Sequence, residues 1–341
     1  MRAVRTAAGV VAASAVLLAA ACSDPATDPA PEPGEGTTAA TDSTGEVVIG
    51  LTYTPDVQFA PFYLAEANGY YEEAGVEVSL RHHGASESLF GALEAGEEDL
   101  VVAGGDEMLQ ARAAGVPVVT VATLYEEYPV VLIVPADSDI TSPADLAGRS
   151  VGVPGPFGET WFGLLALLAD AGLTEEDVTV EHIGFTQQAA LAAGHVDAVM
   201  GFANNDAVQF AQAGVEVRTI ALEDVPLVGI GLGAHDDLLA EDTEMLAAVL
   251  AASMRGVRDV VADPRAAVDV AAEYVPGLTD PTAREAALAT LEATVPLYGA
   301  ATGESDLALW EEMAAFMDVH GLLEGEVDVA AAVTNDLLGA G

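Results

Sequence analysis

Leu93-Glu94-Ala95-Gly96-Glu97-Glu98-Asp99-Leu100-Val101 and Leu191-Ala192-Ala193-Gly194-His195-Val196-Asp197-Ala198-Val199 are two copies of one pattern, 98 residues apart. Each reads as a helix end, a glycine stop, and an aspartate leading into an apolar strand. Glycine suits the stop because left-handed backbone there costs it nothing. One such corner is a common local solution. Two, with matching flanking elements, indicate two lobes of similar topology.

Around the first copy, residues 47–52, 76–81, 99–103 and 118–122 read as strands, and residues 61–68, 86–95 and 106–114 as helices. Pro61 suits a first helical turn, and Gly69, Gly96 and Gly115 suit helix ends. Around the second copy, 150–153, 178–182, 198–202 and 217–221 read as strands, with helices at 159–171, 186–193 and 205–213. Alternation of this kind predicts an α/β protein in which each lobe is a mostly parallel sheet flanked by helices. After about Leu227 the chain runs through residues 228–234 and then turns helical, over 241–261, 264–274, 281–294, 307–320 and 327–338. With no second sheet of their own, these helices are expected to pack on the first lobe.

The chain of 341 residues has ten basic residues, all Arg, against 55 acids, for a formal net charge of −45. So large a negative charge repels nucleic-acid backbones and anionic lipid surfaces. A single cysteine allows neither an intrachain disulfide nor a Cys-based zinc site. The absence of Lys rules out Schiff-base and P-loop chemistry. A hydrophobic fraction of 51% suffices for packed cores.

The first 21 residues carry Arg2 and Arg5, no acid, and an apolar run over 7–21, shorter than the ~20 residues a membrane span needs. They read as a signal peptide. The run ends Leu18-Ala19-Ala20-Ala21-Cys22-Ser23, which resembles a bacterial lipobox with Cys22 as the lipidated N-terminus. An ordinary signal peptide cut nearby, with Cys22 incidental, is the other reading. Residues 22–45, rich in Pro, Thr, Gly, Ala and Asp, read as a disordered tether.

Thr54-Pro55-Asp56-Val57-Gln58-Phe59-Ala60-Pro61-Phe62-Tyr63-Leu64-Ala65 with Asn68-Gly69-Tyr70-Tyr71 resembles the opening of the binding proteins for thiamine pyrimidine precursors, riboflavin and alkanesulfonates, a family related to yeast pyrimidine synthase. Ser142-Pro143-Ala144-Asp145-Leu146-Ala147-Gly148-Arg149-Ser150-Val151-Gly152-Val153 is similar to the opening of their second lobe, and Ala198-Val199-Met200-Gly201-Phe202-Ala203-Asn204-Asn205-Asp206 to the heterocycle-binding branch, where the last position is usually Glu. The resemblance implies a two-lobe periplasmic binding protein type II fold. Residues 46–135 and 228–341 would form the first lobe and 136–227 the second, with hinges near 134–136 and 226–228. It also implies an ABC permease and its ATPase as partners. The expected protein is an extracytoplasmic monomer, held by lipid on the outer face of the cell membrane and using no cofactor. The pyrimidine synthases carry a Cys-rich motif and use residues as reactants. This chain has no cysteine beyond Cys22, so binding rather than catalysis is expected.

Ligands of open α/β sheets meet the loops at the C-terminal strand ends. Those loops hold Gln58, Phe59 and Phe62, then His83, then Asp106 and Glu107, then Phe157, Thr160 and Trp161, then Phe202, Asn204, Asn205 and Asp206, with Tyr128 near the first crossing. The aromatics are candidates to stack on a flat ring or to fill the core. Asp206 suits an amino-pyrimidine edge, with Asn204 and Asn205 offering donor and acceptor, but Asn and Asp before a helix are equally good caps. The same ambiguity holds for Asp106 and Glu107. The loop 154–160 is built like a phosphate cradle, yet Glu159 sits at its mouth and no Lys is near. His82 and His83 are adjacent on a strand and point to opposite faces, which argues against a metal. The reading is a substrate-binding lipoprotein for a planar nitrogen heterocycle. A thiamine-type pyrimidine precursor leads, riboflavin is the alternative, and an alkanesulfonate or nitrate follows. A solute sensor or an enzyme on the same fold are the rivals of another class.

Overall fold

The computed structural model describes residues 46–84, 87–222 and 225–339. The expected signal peptide, the lipidation site at Cys22 and the tether lie outside these residues. Ten strands are present among them: β1 (Val47–Leu51), β2 (Val78–His82), β3 (Leu100–Gly104), β4 (Val118–Thr123), β5 (Val130–Pro135), β6 (Ser150–Val153), β7 (Thr179–His182), β8 (Ala198–Phe202), β9 (Val217–Ala221) and β10 (Ile230–His235). They form two five-stranded sheets, ordered β2-β1-β3-β10-β4 and β7-β6-β8-β5-β9. In the first, β1 lies parallel between β2 and β3, and β10 runs antiparallel to β3 and β4. In the second, β6 lies parallel between β7 and β8, and β5 runs antiparallel to β8 and β9. Each sheet therefore places the strand arriving from the other sheet in the same position and the same sense. In each sheet four strands run one way and the arriving strand the other, so the sheets are mixed but mostly parallel, as expected.

β5 has no counterpart among the strands expected from sequence, and the expected first hinge at 134–136 falls at its end. Val130-Val131-Leu132-Ile133-Val134 is a continuous apolar run, the pattern of a strand buried on both faces, and it pairs with β8 and β9. The chain thus passes between sheets across residues 124–129, before β5. It returns between Ala221 and Ile230.

The helices are α1 (Ala60–Ala67), α2 (Tyr70–Glu73), α3 (Gly91–Glu94), α4 (Gly105–Ala113), α5 (Gly158–Asp170), α6 (Gln187–Ala192), α7 (Asp206–Gln212), α8 (Asp236–Glu241), α9 (Thr243–Ala262), α10 (Pro264–Ala271), α11 (Pro281–Thr294), α12 (Leu307–Val319) and α13 (Val329–Ala332). The duplicated motif folds into matching corners, α3–β3 and α6–β8. Gly96 and Gly194 both have φ 67°. Asp99 Oδ2 accepts from the Val48 amide and Asp197 Oδ2 from the Ser150 amide, both at 2.8 Å. Each aspartate thereby fastens its corner to the neighbouring parallel strand.

Helices α1, α9, α10 and α11 share one core with the first sheet. Gly256 of α9 lets α1 approach closely, since a Cβ there would lie 1.9 Å from the Pro61 carbonyl oxygen. The second core joins β5, β6, β8 and α5 to Leu109 of α4 and to Trp310, Met313 and Met317 of α12. The C-terminal helices pack on the first lobe as expected, α12 through Trp310 beside Gly105 of α4 and the end of α13 through Val333 beside Thr120 of β4, while the apolar stripe of α12 also joins the second core. Among the described residues, no helix is long and apolar enough to cross a membrane.

Candidate functional site between the two sheets

The register Ile230↔Gly104 and Val130↔Phe202 sets both inter-sheet segments beside the C-terminal ends of β3 and β8. Helices α4 and α5 begin at the ends of β3 and β6, so residues from both sheets meet there in two polar clusters.

The first cluster is acidic. A Cβ on Gly104 would lie 2.5 Å from Asp106 Oδ1 and 3.0 Å from Glu159 Cδ, and one on Gly158 would lie 3.2 Å from Glu107 Oε1. Glycine at these positions lets three carboxyl groups from two sheets pack together. The Tyr128 hydroxyl lies 2.7 Å from Asp106 Oδ2 and 2.9 Å from the Glu159 carbonyl. Asp106 Oδ1 accepts from the Glu107 amide at 2.7 Å, and Glu107 Oε2 from the Gly104 amide at 3.1 Å. Glu159 Oε1 is buried without a hydrogen-bond partner among the described residues. Burial, then the charge of Glu107, raises the Asp106 pKa well above the ordinary range. Burial, then the charges of Asp106 and Glu107, does the same to Glu159. Burial pushes Glu107 up to about 6, against the Gly104 amide, which lowers it.

The second cluster is built around amide and hydroxyl side chains. Asn204, fully buried at the β8–α7 corner, donates from Nδ2 to Gln58 Oε1 and to Thr294 Oγ1, each at 3.0 Å. Gln58 is oriented by Asp56 Oδ1, which accepts from its amide at 3.0 Å and its Nε2 at 3.1 Å. Thr294 donates to the Thr290 carbonyl at 2.8 Å. Tyr125 and Tyr298 meet edge to face, 5.3 Å between ring centroids, and burial raises the pKa of both hydroxyls. Asn204 Oδ1 is buried with no partner among the described residues.

Of the residues expected from sequence, Gln58, Asp106, Glu107, Tyr128 and Asn204 come together at this junction. Thr160, Trp161 and Phe202 lie on the same α5 and β8 ends, where Trp161 and Phe202 fill the second core. Phe62 lies in the first core at 1% exposure, and Phe59 packs on that core, edge to face with His82. His83 is buried and paired through Nε2 with Glu98 Oε1 at 2.8 Å, so it holds the first lobe together rather than facing a ligand. Phe157 is 54% exposed. Asn205 Oδ1 accepts from its own helix's Gln209, and Asp206 Oδ2 accepts from the Phe202 amide at 2.8 Å. These two close the corner that presents Asn204. Glu159, Tyr125 and Thr294 were not among the expected site residues. The acid at the start of a helix after a glycine loop pointed to Glu159, but nothing local marks Thr294.

Of the eight arginines in the described residues, seven engage carboxylates or carbonyls away from both clusters, and Arg258 is exposed on α9.

The family described as NMT1/THI5 like matches residues 56–267. The chain belongs to the NMT1/THI5-like family. The riboflavin-binding protein RibY of Chloroflexus aurantiacus is 35% identical over 341 residues, covering 96% of each chain. The formylaminopyrimidine-binding protein of Halalkalibacterium halodurans is 27% identical, covering 87% of this chain and 93% of its own. Among solved structures, the periplasmic aliphatic sulphonate-binding protein SsuA of Escherichia coli superposes with a TM-score of 0.69 at 18% identity, covering 85% of this chain and 92% of that one. This NMT1/THI5-like chain thus has the periplasmic binding protein fold, with its two polar clusters at the junction of the sheets.

Proposed function

We propose that this protein captures an uncharged, planar flavin-type heterocycle between its two lobes and hands it to an ABC permease. The observation that carries this reading is the junction itself: buried polar groups from both sheets, including three carboxyl groups and no arginine. An anionic head group brought there would meet negative charge in a low-dielectric setting with nothing to compensate it. That argues against a sulfonate, nitrate or phosphate ester as ligand. Similarity along nearly the whole chain to RibY supports riboflavin as the leading ligand of this reading. The pyrimidine precursor, favoured by the sequence motif, moves to second place because Asn205 and Asp206 spend their side chains on local bonds. The formylaminopyrimidine-binding relative keeps it in view.

The reading is one of binding, not turnover. Ligand shifts the lobes toward the closed arrangement by as much as it prefers that arrangement. Cys22 carries the lipid that keeps the protein at the outer face of the membrane, and Cys22→Ser releases it into the medium. Fluorescence titration with riboflavin, 4-amino-5-hydroxymethyl-2-methylpyrimidine and an alkanesulfonate tests the ligand class. Saturable one-to-one binding of riboflavin and none of the sulfonate is the expected result. Tighter binding of the sulfonate overturns the reading.

A further inference from the structure

We propose that closure of the two lobes takes up a proton: Asp106 from the first sheet and Glu159 from the second meet at the Tyr128 hydroxyl in a latch that is complete only when Asp106 is protonated. The inference rests on the ligand-capture reading above and adds the regulation of that site.

Hydrogen-bond accounting carries it. A tyrosine hydroxyl has one hydrogen. Tyr128 Oη faces two oxygen atoms at bonding distance, Asp106 Oδ2 and the Glu159 carbonyl. The carbonyl only accepts. Both contacts are full two-centre hydrogen bonds, rather than one hydrogen shared between two acceptors, when Asp106 Oδ2 carries a proton, donates it to Tyr128, and Tyr128 donates onward to Glu159. The other Asp106 oxygen is already an acceptor, taking the Glu107 amide. The proton therefore sits on Oδ2, in line between the two sheets.

The surroundings favour it. The groups facing the latch are Glu107 on α4, Glu159 on α5, and the Tyr125 ring and Asp56 beyond it, acids and phenols throughout. The residues packed behind Gly105 are apolar, Val228 and Trp310. Glu126, Glu127, Glu311 and Glu312 on adjoining segments are exposed. Among the described residues no cation faces the three carboxyl groups to keep them ionised together, so protonation relieves their mutual repulsion. Separating α4 from α5 would return each carboxyl group to water and to its ordinary pKa near 4.

The sign follows from linkage. The closed form has raised carboxyl pKa values, so it binds more protons than the open form. Its advantage is complete below the ordinary carboxylate range and is lost as pH rises through the raised values, about 6 for Glu107 and well above the ordinary range for Asp106 and Glu159. Ligand affinity, tied to closure, falls with it.

Calorimetric titration with riboflavin at about pH 5.5, 7 and 8.5, in buffers of different ionisation enthalpy, measures the protons taken up. One proton per ligand weakens binding by up to roughly tenfold per pH unit in the window. Asp106→Asn supplies a permanent donor to Tyr128, so its uptake drops and its profile flattens. Small-angle scattering of the protein alone reads the latch without ligand, and a radius of gyration that grows between pH 5.5 and 8.5 in the wild type but not in Asp106→Asn is expected. Riboflavin binding with no proton uptake, together with pH-independent scattering, overturns the latch and leaves the ligand assignment standing. No riboflavin binding at any pH overturns the ligand assignment, and the scattering comparison then decides the latch.

Discussion

Asn204 Nδ2, carried by the second sheet, donates to Gln58 Oε1, carried by the first, at 3.0 Å. The same nitrogen reaches Thr294 Oγ1 at the end of α11. One side chain thus ties the second sheet to two separate segments packed on the first, while its own oxygen remains available. Asn204→Ala leaves the Gln58 oxygen without its donor, at a cost of about 1–3 kcal/mol. Riboflavin affinity should fall at least roughly tenfold, the equivalent of about 1.4 kcal/mol. Asn204→Asp keeps the free oxygen but sets a second oxygen against Gln58 Oε1, so it should bind no better than the alanine variant. Fluorescence titration checks both, and an unchanged dissociation constant in either would remove Asn204 from the site.

Asp206 separates local from cross-lobe roles. Its carboxylate bonds the Phe202 amide four residues back, within the same corner. Asp206→Ala should lower stability by about 1 kcal/mol through that lost bond. Riboflavin affinity should stay within about threefold, because 1 kcal/mol of fold stability is not tied to the ligand. Parallel melting and titration of the variant separate the two effects. A large affinity loss at an unchanged melting temperature would return Asp206 to the ligand.

The duplicated corners make a quantitative pair. Asp99 and Asp197 each accept a strand amide at 2.8 Å, in different sheets and with no shared partner. Asp197 also accepts from Ser150 Oγ at 2.8 Å. Asp99→Ala should cost about 1–2 kcal/mol and Asp197→Ala slightly more. The double variant should lose the sum to within about 0.5 kcal/mol, as independent sites do. Denaturant melts of the three proteins test this, and strong non-additivity would mean that the two corners are energetically linked.

What the sequence disclosed follows the range over which each signal acts. The corners were legible because glycine, aspartate and an apolar strand lie within nine residues of one another. The strand β5 was not, because a run buried on both faces shows no alternation and sits beside the crossing segment. At the junction, Gln58, Asp106, Tyr128 and Asn204 could be grouped from sequence because the loops at strand ends and the crossing segment converge there. Thr294 comes from α11 and meets Asn204 across 90 residues of chain, a contact that no local spacing announces. His83 was misplaced for a similar reason, since its partner Glu98 lies on a neighbouring segment and turns a loop histidine into a buried pair.

Gly256 offers a test in which two effects compete with known signs. In a helix interior, Gly→Ala ordinarily stabilises by about 1 kcal/mol. Here the new Cβ would lie 1.9 Å from the Pro61 carbonyl oxygen and 2.8 Å from its carbon, both backbone atoms that cannot rotate away. Relief requires α1 to move off α9, and overpacking of this kind costs about 1–3 kcal/mol or more. Steric cost should win, so Gly256→Ala should melt lower than the wild type. The displacement should also reach the proposed ligand site, because the turn that carries Gln58 leads directly into α1. A shift there lengthens the Gln58–Asn204 bond, and riboflavin binding should weaken together with stability. A variant that melts higher than the wild type would mean that α1 and α9 do not approach through this glycine.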